Sequence, residues 1–584
     1  MAGADAVLLL TRQKKMTPRL SHSRYFWILI TAFAALSLWL RMAFPIVAAG
    51  SAIHDDLLFV RWAAEIGMGN WLGEYNNLTH AKGVGYSLFL LLNHATGLPL
   101  KFTEHTLYLA TAGFFAFTIG QLYRSRAATL LTFVLLAFFP TAWVGGAAGR
   151  VVREGLYISQ SLMLLTLGIR CFVLYEASSP AKQLREHWLS LVLLGLLGGW
   201  FWITREEGVW LAPAMTVLVA YWLFRQRAWR ENFRAIGAFL AVPIVALLLV
   251  IGIINTINFA FYGVFRNNDF RSSDFQAGYG ALSRIKHEHW RKYVPFPKDA
   301  REKAYEMSAA ARELKPFFEG PGGQMWLSIT CSQPMALPCD EIQSGWLMWA
   351  VRDAASGAGH YVNAGEAKHF YRRLAKEINE GCRLRPDDCL PARATMVPPW
   401  HQGYATDTLL ASWKVFHTLA TLGDMPPYVS VSEGGAKYLA LYEVVTNGPL
   451  APLQDAAPAW DGHALKSPRD ALRMQLASSI STGVNQLSSY GLPLAFCVWL
   501  LWSIAALYKS VRQKRIPDPA WWVTTAIAMA VTTRVLLLGF LDATSIPSNN
   551  MLYLFPLVPL SLAMLPVTLW GAISVWKSTK VNHS

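Results

Sequence analysis

Ten long apolar runs dominate this sequence, each close to the roughly 20 residues a helix needs to cross a bilayer. They lie at about 25–47, 104–122, 127–145, 155–175, 188–204, 208–224, 235–258, 488–508, 520–541 and 551–576. Backbone polar groups inside lipid must be satisfied within the segment, so runs of this length predict helices. The expected fold class is therefore α: a polytopic helical membrane protein with about ten transmembrane helices. A composition that is 53% hydrophobic and only 15% charged agrees with that class. The first run has no small-residue cleavage site and reads as a span, not a signal peptide. One stretch, 84–98, is apolar but short and contains Asn93 and His94, so it reads as a re-entrant or interfacial segment.

Charge orients the spans. Residues 1–24 carry Arg12, Lys14, Lys15, Arg19 and Arg24 against Asp5, and the positive-inside rule keeps them in the cytosol. With ten spans, the loops that return to the cytosol hold Arg124/Arg126, Lys182/Arg185, the arginines at 225–234, the basic group at 509–515 and Lys577/Lys580. These segments account for nearly all of the +15 net charge, so it reflects topology and no nucleic-acid partner is expected. The expected organisation is a basic cytosolic N-terminus (1–24), a membrane module (25–258) with a first outer loop at 48–103, an extracytoplasmic domain (259–486), C-terminal spans (487–576) and a cytosolic tail (577–584).

The region 259–486 balances 24 Lys+Arg with 23 Asp+Glu, unlike the cytosolic loops. Helical periodicity over Asp299–Phe318 and Asn363–Glu380, the latter stopped by Gly381, predicts a mostly helical domain. Four of the six cysteines fall here. Cys331/Cys339 and Cys382/Cys389 are spaced for short disulfide loops, which persist in a periplasm or lumen; the alternative is four free thiols. Cys171 and Cys497 fall inside spans and read as packing residues.

Four charged clusters share the outer side, where desolvation makes charge expensive. The first is Asp55-Asp56 after His54, with Lys82-Gly-Val-Gly-Tyr86 further on. The second is Arg150, Arg153 and Glu154. The third is Thr204-Arg205-Glu206-Glu207-Gly208. The fourth is Arg534, roughly two turns below the outer end of its span, with Asp542 and the 545–550 loop above. Each has a bland alternative. The aspartates could cap a helix, the second and third clusters could be self-neutralised turns, and Arg534 could snorkel to the interface. Together they pair carboxylates with cations beside lipid. Arginine grips phosphate, while a carboxylate can deprotonate a hydroxyl or hold a divalent cation such as Mg or Mn. No Walker or dinucleotide motif points to a soluble nucleotide donor.

The residues Asp55-Asp56, Ala63-Ala64-Glu65-Ile66, Gly69-Asn70-Trp71 and Lys82-Gly-Val-Gly-Tyr86 carry a resemblance. Their order resembles that of GT-C integral-membrane glycosyltransferases, which include protein mannosyltransferases and lipid A aminoarabinose transferases. In the latter the pattern reads DE, an alanine-containing amphipathic helix, G-x-W, then K-P-P-x-x-Y-W. The detailed likeness covers about the first 100 residues; the rest agrees in span pattern and in having a large outer domain. It implies that Asp55 is a general base, or a metal ligand with Asp56 in members that use metal. It also implies that Lys82 and the outer arginines contact a lipid phosphate. Two departures stand out: Gly-Val-Gly replaces the prolines and leaves that loop less rigid, and Glu154 stands where many relatives place an aspartate.

The expected function is thus an inverting glycosyltransferase in a bacterial inner (plasma) membrane, its site facing the periplasm or exterior. It would move sugar from a polyprenyl-phosphate donor to a glycan, lipid or protein acceptor. Asp55, Asp56 and Glu154 are the catalytic candidates. His54, Lys82, Tyr86, Arg150, Arg153, Arg205, Glu206 and Arg534 are the candidates for substrate binding. The alternatives are a transporter or flippase of lipid-linked saccharides, and a glycan polymerase or ligase with arginine-led catalysis.

Overall fold

The computed structural model describes residues 24–175, 179–205, 207–226, 229–288, 290–331, 339–453 and 468–581. Among them, eight helices are long and apolar enough to cross a membrane: Arg24–Arg41, Arg126–Trp143, Glu154–Leu174, Pro180–Thr204, Arg230–Tyr262, Arg469–Gln513, Pro519–Thr544 and Met551–Ser574. The protein is an all-helical integral membrane protein. Two of the ten expected spans do not qualify. Gly208–Phe224 is too short, and Leu100–Tyr123, although 24 residues long, begins with Lys101, Glu104 and His105. The short run forms a 12-residue helix, Gly85–Thr96, only about 18 Å long at 1.5 Å per residue and too short to cross.

Small residues let the spans approach closely. Gly195 and Gly199 on Pro180–Thr204 lie against the Pro243 and Leu247 carbonyls of Arg230–Tyr262, where any Cβ would collide. Gly539 on Pro519–Thr544 is pressed in the same way against the Ser412 backbone. Ser412 belongs to Tyr404–Ala420, so that helix of the polar region packs on a span. Its opposite face exposes Leu409, Leu410 and Trp413.

The helices at 273–384 have their own core, including Phe275, Tyr371, Leu374 and Ile378. The expected helix over Asp299–Phe318 is divided into Lys298–Met307, Ala309–Glu313 and Lys315–Phe318. Ser308 causes the first break, because its side chain caps the next helix at Ala311 N. Gly381 does not stop its helix, which runs from Ala364 to Leu384. It is instead a contact glycine, packed against Met307. Cys331 is joined to Cys339 and Cys382 to Cys389; Cys171 is a buried free thiol and Cys497 an exposed one.

The chain that leaves the first span is held in extended form. Val47 N donates to Gly149 O at 2.9 Å and Gly50 N to Glu433 O at 2.9 Å, and Ala451 N donates to Ile46 O at 2.6 Å. Bridges pair Val47 with Arg150 and Ala49 with Glu433. This strapping brings the loop after the first span to the start of Glu154–Leu174.

Candidate active site

Asp55 and Asp56 stand at the start of the amphipathic helix Asp56–Gly67. Asp55 occupies the N-cap position, but its side chain makes no capping hydrogen bond. Its carboxylate turns outward, binds Lys82 Nζ through Oδ1, and lies 3.7 Å from Arg150 through Oδ2. Asp56 turns inward, is fully buried, and takes Arg150 through both oxygens, with Nε at 3.1 Å. A bidentate arginine–carboxylate pair is the strongest geometry available to those two groups. The bland capping role therefore fails for Asp55.

The two carboxyls differ in acidity. Burial works to raise the Asp55 carboxyl, but Lys82, Arg150 and Arg153 together outweigh it and hold it down at about 2. For Asp56, burial outweighs Arg150 and is reinforced by the neighbouring Asp55 charge, pushing the carboxyl up to about 6. Arg150 is itself held above its ordinary range, because its two acids more than offset its burial.

Glycine explains how Lys82 reaches Asp55. Gly83 lies on the Ile203 carbonyl and Gly85 on Thr204, so a side chain at either position would strike the end of Pro180–Thr204. Trp200 Nε1 then donates to Gly85 O at 2.9 Å. The Gly-Val-Gly turn is thus pinned to a span by close approach, in place of the looseness expected from its sequence. From the other side, fully buried Arg352 donates to Asn77 O at 2.6 Å, Thr79 O at 2.9 Å and Asp269 at 2.8 Å. Asn77 Nδ2 donates to Asp353 at 2.6 Å. The helix Ser344–Gly357 clamps the loop that carries Lys82.

The remaining candidates separate by role. Arg205 is buried, bonded to Glu154 and, at 2.6 Å, to Glu207. Both glutamates spend charge on Arg205, so Glu154 is an ion-pair partner in this geometry. Arg153 lies 5.8 Å from the Phe59 ring and donates to Thr204 O at 3.5 Å. His54 is wedged between Trp326 and Trp349, ring centroids 5.0 and 4.9 Å away. Tyr86 is fully buried with its hydroxyl 2.8 Å from Glu104; it supports the site without opening onto it. Glu206 lies outside the described residues.

Arg534 differs most from expectation. It lies ten residues before the end of Pro519–Thr544, about 15 Å along the axis, too deep to snorkel cheaply. It is 1% exposed, donates through Nη2 to Tyr553 O at 3.1 Å, and leaves Nε and Nη1 without a hydrogen-bond partner among the described residues. Tyr553 also lies 5.7 Å from the Arg205 guanidinium, which links the third and fourth clusters.

Lys101 and Glu104 were not singled out from the sequence. They bond each other at 2.8 Å, while Lys101 donates to Arg150 O at 2.7 Å and Glu104 accepts from Tyr86. The available signal was two charges, three residues apart, opening an apolar run. Arg41, inside the first expected span and bonded to Ala148 O at 2.9 Å, carried the same signal.

No group of three or more His, Cys, Asp or Glu side chains that could hold a metal stands together among the described residues. Asp55 and Asp56 supply only two carboxylates, each already holding a cationic side chain. A divalent ion would have to displace Lys82 or Arg150, so the donor set does not suit Mg or Mn, and no step below is routed through metal.

No protein-family model and no curated protein matches this sequence. Solved structures that match include ArnT from Cupriavidus metallidurans, bound to undecaprenyl phosphate and in the apo state. Both are 14% identical, with a TM-score of 0.31, covering 88% of this chain and 77% of theirs.

Proposed function

We propose that this protein is an inverting membrane glycosyltransferase that uses a polyprenyl-phosphate sugar, with Asp55 as general base. One observation carries the proposal: a partly exposed carboxylate, 38% accessible, lies between Lys82 and Arg150 at the start of the helix Asp56–Gly67. Such an arrangement serves a reaction in which a hydroxyl loses a proton while a phosphate departs with negative charge. It also accords with the sequence resemblance to GT-C transferases.

In the resting site Asp55 is too strongly neutralised to be a good base. A donor phosphate arriving beside Lys82 and Arg150 draws Lys82 toward itself and shares the charge of Arg150. Asp55 then loses partners, and its proton affinity rises when a base is needed. It takes the acceptor hydroxyl proton; the hydroxyl oxygen bonds to the anomeric carbon from the face opposite the phosphate. The anomeric C–O bond breaks, and its electron pair leaves on the polyprenyl phosphate. Lys82, Arg150, Arg153 and the open N–H groups of Arg534 are the cations for that leaving group, while Asp56 holds Arg150 in place. The expected cellular setting is the outer face of a bacterial inner membrane.

The test is transfer from labelled polyprenyl-phosphate sugar in membranes. Asp55→Asn should lower the rate by about 10²–10⁴-fold, the usual scale for a general base. Wild-type rates in both Asp55→Asn and Asp56→Asn would remove the assignment. A second reading rests on the unpartnered nitrogens of Arg534: a glycan polymerase or ligase with arginine-led catalysis. Activity that survives both aspartate changes but not Arg534→Ala would favour it.

A further inference from the structure

A cavity of about 670 Å³ lies along the helix that begins at Asp56, and the proposed reaction has not used it. Leu58, Arg61, Trp62 and Glu65 line it; at i, i+3, i+4 and i+7 they make one helix face. Asp55 does not itself line the cavity; it stands at the N-cap, three residues before Leu58, and is the more exposed of the two acids, whereas Asp56 is buried. The cavity floor is apolar, formed by Leu58, Trp62 and Leu72, all buried. That floor joins a cluster with Ile203 and Ile254 from two spans, which places it at the membrane boundary.

The rim has a different chemistry. Arg61, Glu65, Asn70, Glu74 and Asn76 supply carboxylates, amides and a guanidinium. Asn70 Nδ2 donates to Glu65 at 3.1 Å and Asn76 Nδ2 to Glu74 O at 3.0 Å, which orients both amides. An apolar floor under a ring of acceptors and donors suits a ligand with apolar faces and many hydroxyls. A sugar ring is that kind of ligand. The volume falls within the 300–1,000 Å³ of ordinary small-molecule sites. Asp55 to Glu65 covers about 15 Å of helix, room for a short saccharide.

We infer that this cavity is the acceptor-saccharide site, holding a hydroxyl-rich glycan with its reacting end toward Asp55. Exposed Phe261, at the outer end of Arg230–Tyr262, lines the same cavity and offers an apolar exit for a membrane-anchored aglycone. The inference rests on the transferase reading and deepens it by naming the acceptor class.

The experiment is saturation-transfer NMR on the full-length protein in detergent, with maltotriose and chitotriose as probes. Glu74→Trp, at an exposed position, should fill the cavity, and Arg61→Ala should trim its rim without removing a buried group. The expected result is saturable binding of at least one trisaccharide, weakened tenfold or more by Glu74→Trp and measurably by Arg61→Ala. Absence of binding by both probes, or binding indifferent to both variants, overturns the inference. So does binding of dihexanoyl phosphatidylglycerol there in place of sugar, which would make the cavity a lipid-headgroup site. Transfer that no longer depends on Asp55 would instead sink the transferase reading. Asp55-dependent transfer without saccharide binding would sink the cavity alone.

Discussion

Arg150 grips the fully buried Asp56 through Nε and Nη2 while the same Nη2 lies 3.7 Å from Asp55. One guanidinium thus joins the buried acid to the partly exposed one. Anything that loosens Arg150 alters both.

Arg150→Ala should destabilise the protein by about 3–5 kcal/mol, because it leaves a buried carboxylate without its partner. Thermal unfolding in detergent measures this. The loss should shrink when Asp56→Asn is added, since the second change removes the stranded charge. Additive losses would mean that the two residues do not act as a pair.

The two acids should give opposite pH signatures. Asp56 lies above its unfolded carboxyl range, so its contribution to stability is present below about pH 4 and lost as pH rises through about 6. Asp55 lies below that range: its contribution is present above about pH 4 and lost as pH falls toward about 2. Melting temperatures of wild type relative to Asp56→Asn should therefore fall between pH 4 and 6. Relative to Asp55→Asn they should fall below pH 4. The same trend for both variants would contradict the assigned directions.

Arg352 should act on the reaction through Lys82. Arg352→Lys keeps a cation beside Asp269 but cannot reproduce the three-way bond to Asn77 O, Thr79 O and Asp269. Transfer should drop about 10-fold or more, on the scale of one charged hydrogen bond, mainly through the donor KM. A change in melting temperature with unaltered kinetics would restrict Arg352 to a purely structural role.

Arg534→Lys should weaken donor use more than it weakens folding, because the two nitrogens in question have no protein partner to lose. Donor titration at fixed acceptor checks this. A chelator in the same assay should leave the rate unchanged, since no third His, Cys, Asp or Glu side chain joins Asp55 and Asp56 as a ligand set among the described residues.

Much of the site was legible as residue types, and little of it as contacts. Asp55, Lys82 and Arg150 were all named from the sequence and do meet. Arg205, Glu154 and Tyr86 were named too, but their charges and hydroxyl are spent on Glu207, on each other and on Glu104. Lys101, Glu104 and Arg41 were hidden because each lies inside or at the edge of an apolar run. Arg352 was hidden because nothing local ties it to a loop some 270 residues earlier.

Run length and charge asymmetry were enough to establish a helical membrane protein with charged clusters gathered between its spans. Hydropathy is a local property, and a helix satisfies its backbone within a single segment. The roles of Asp55 and Asp56 were not available locally. Adjacent in sequence, they face opposite ways, because Val47 pairs with Arg150, Gly83 and Gly85 rest on Ile203 and Thr204, and Arg352 holds the intervening loop. Those approaches come from long-range packing, and they decide which acid is buried and which stays partly exposed.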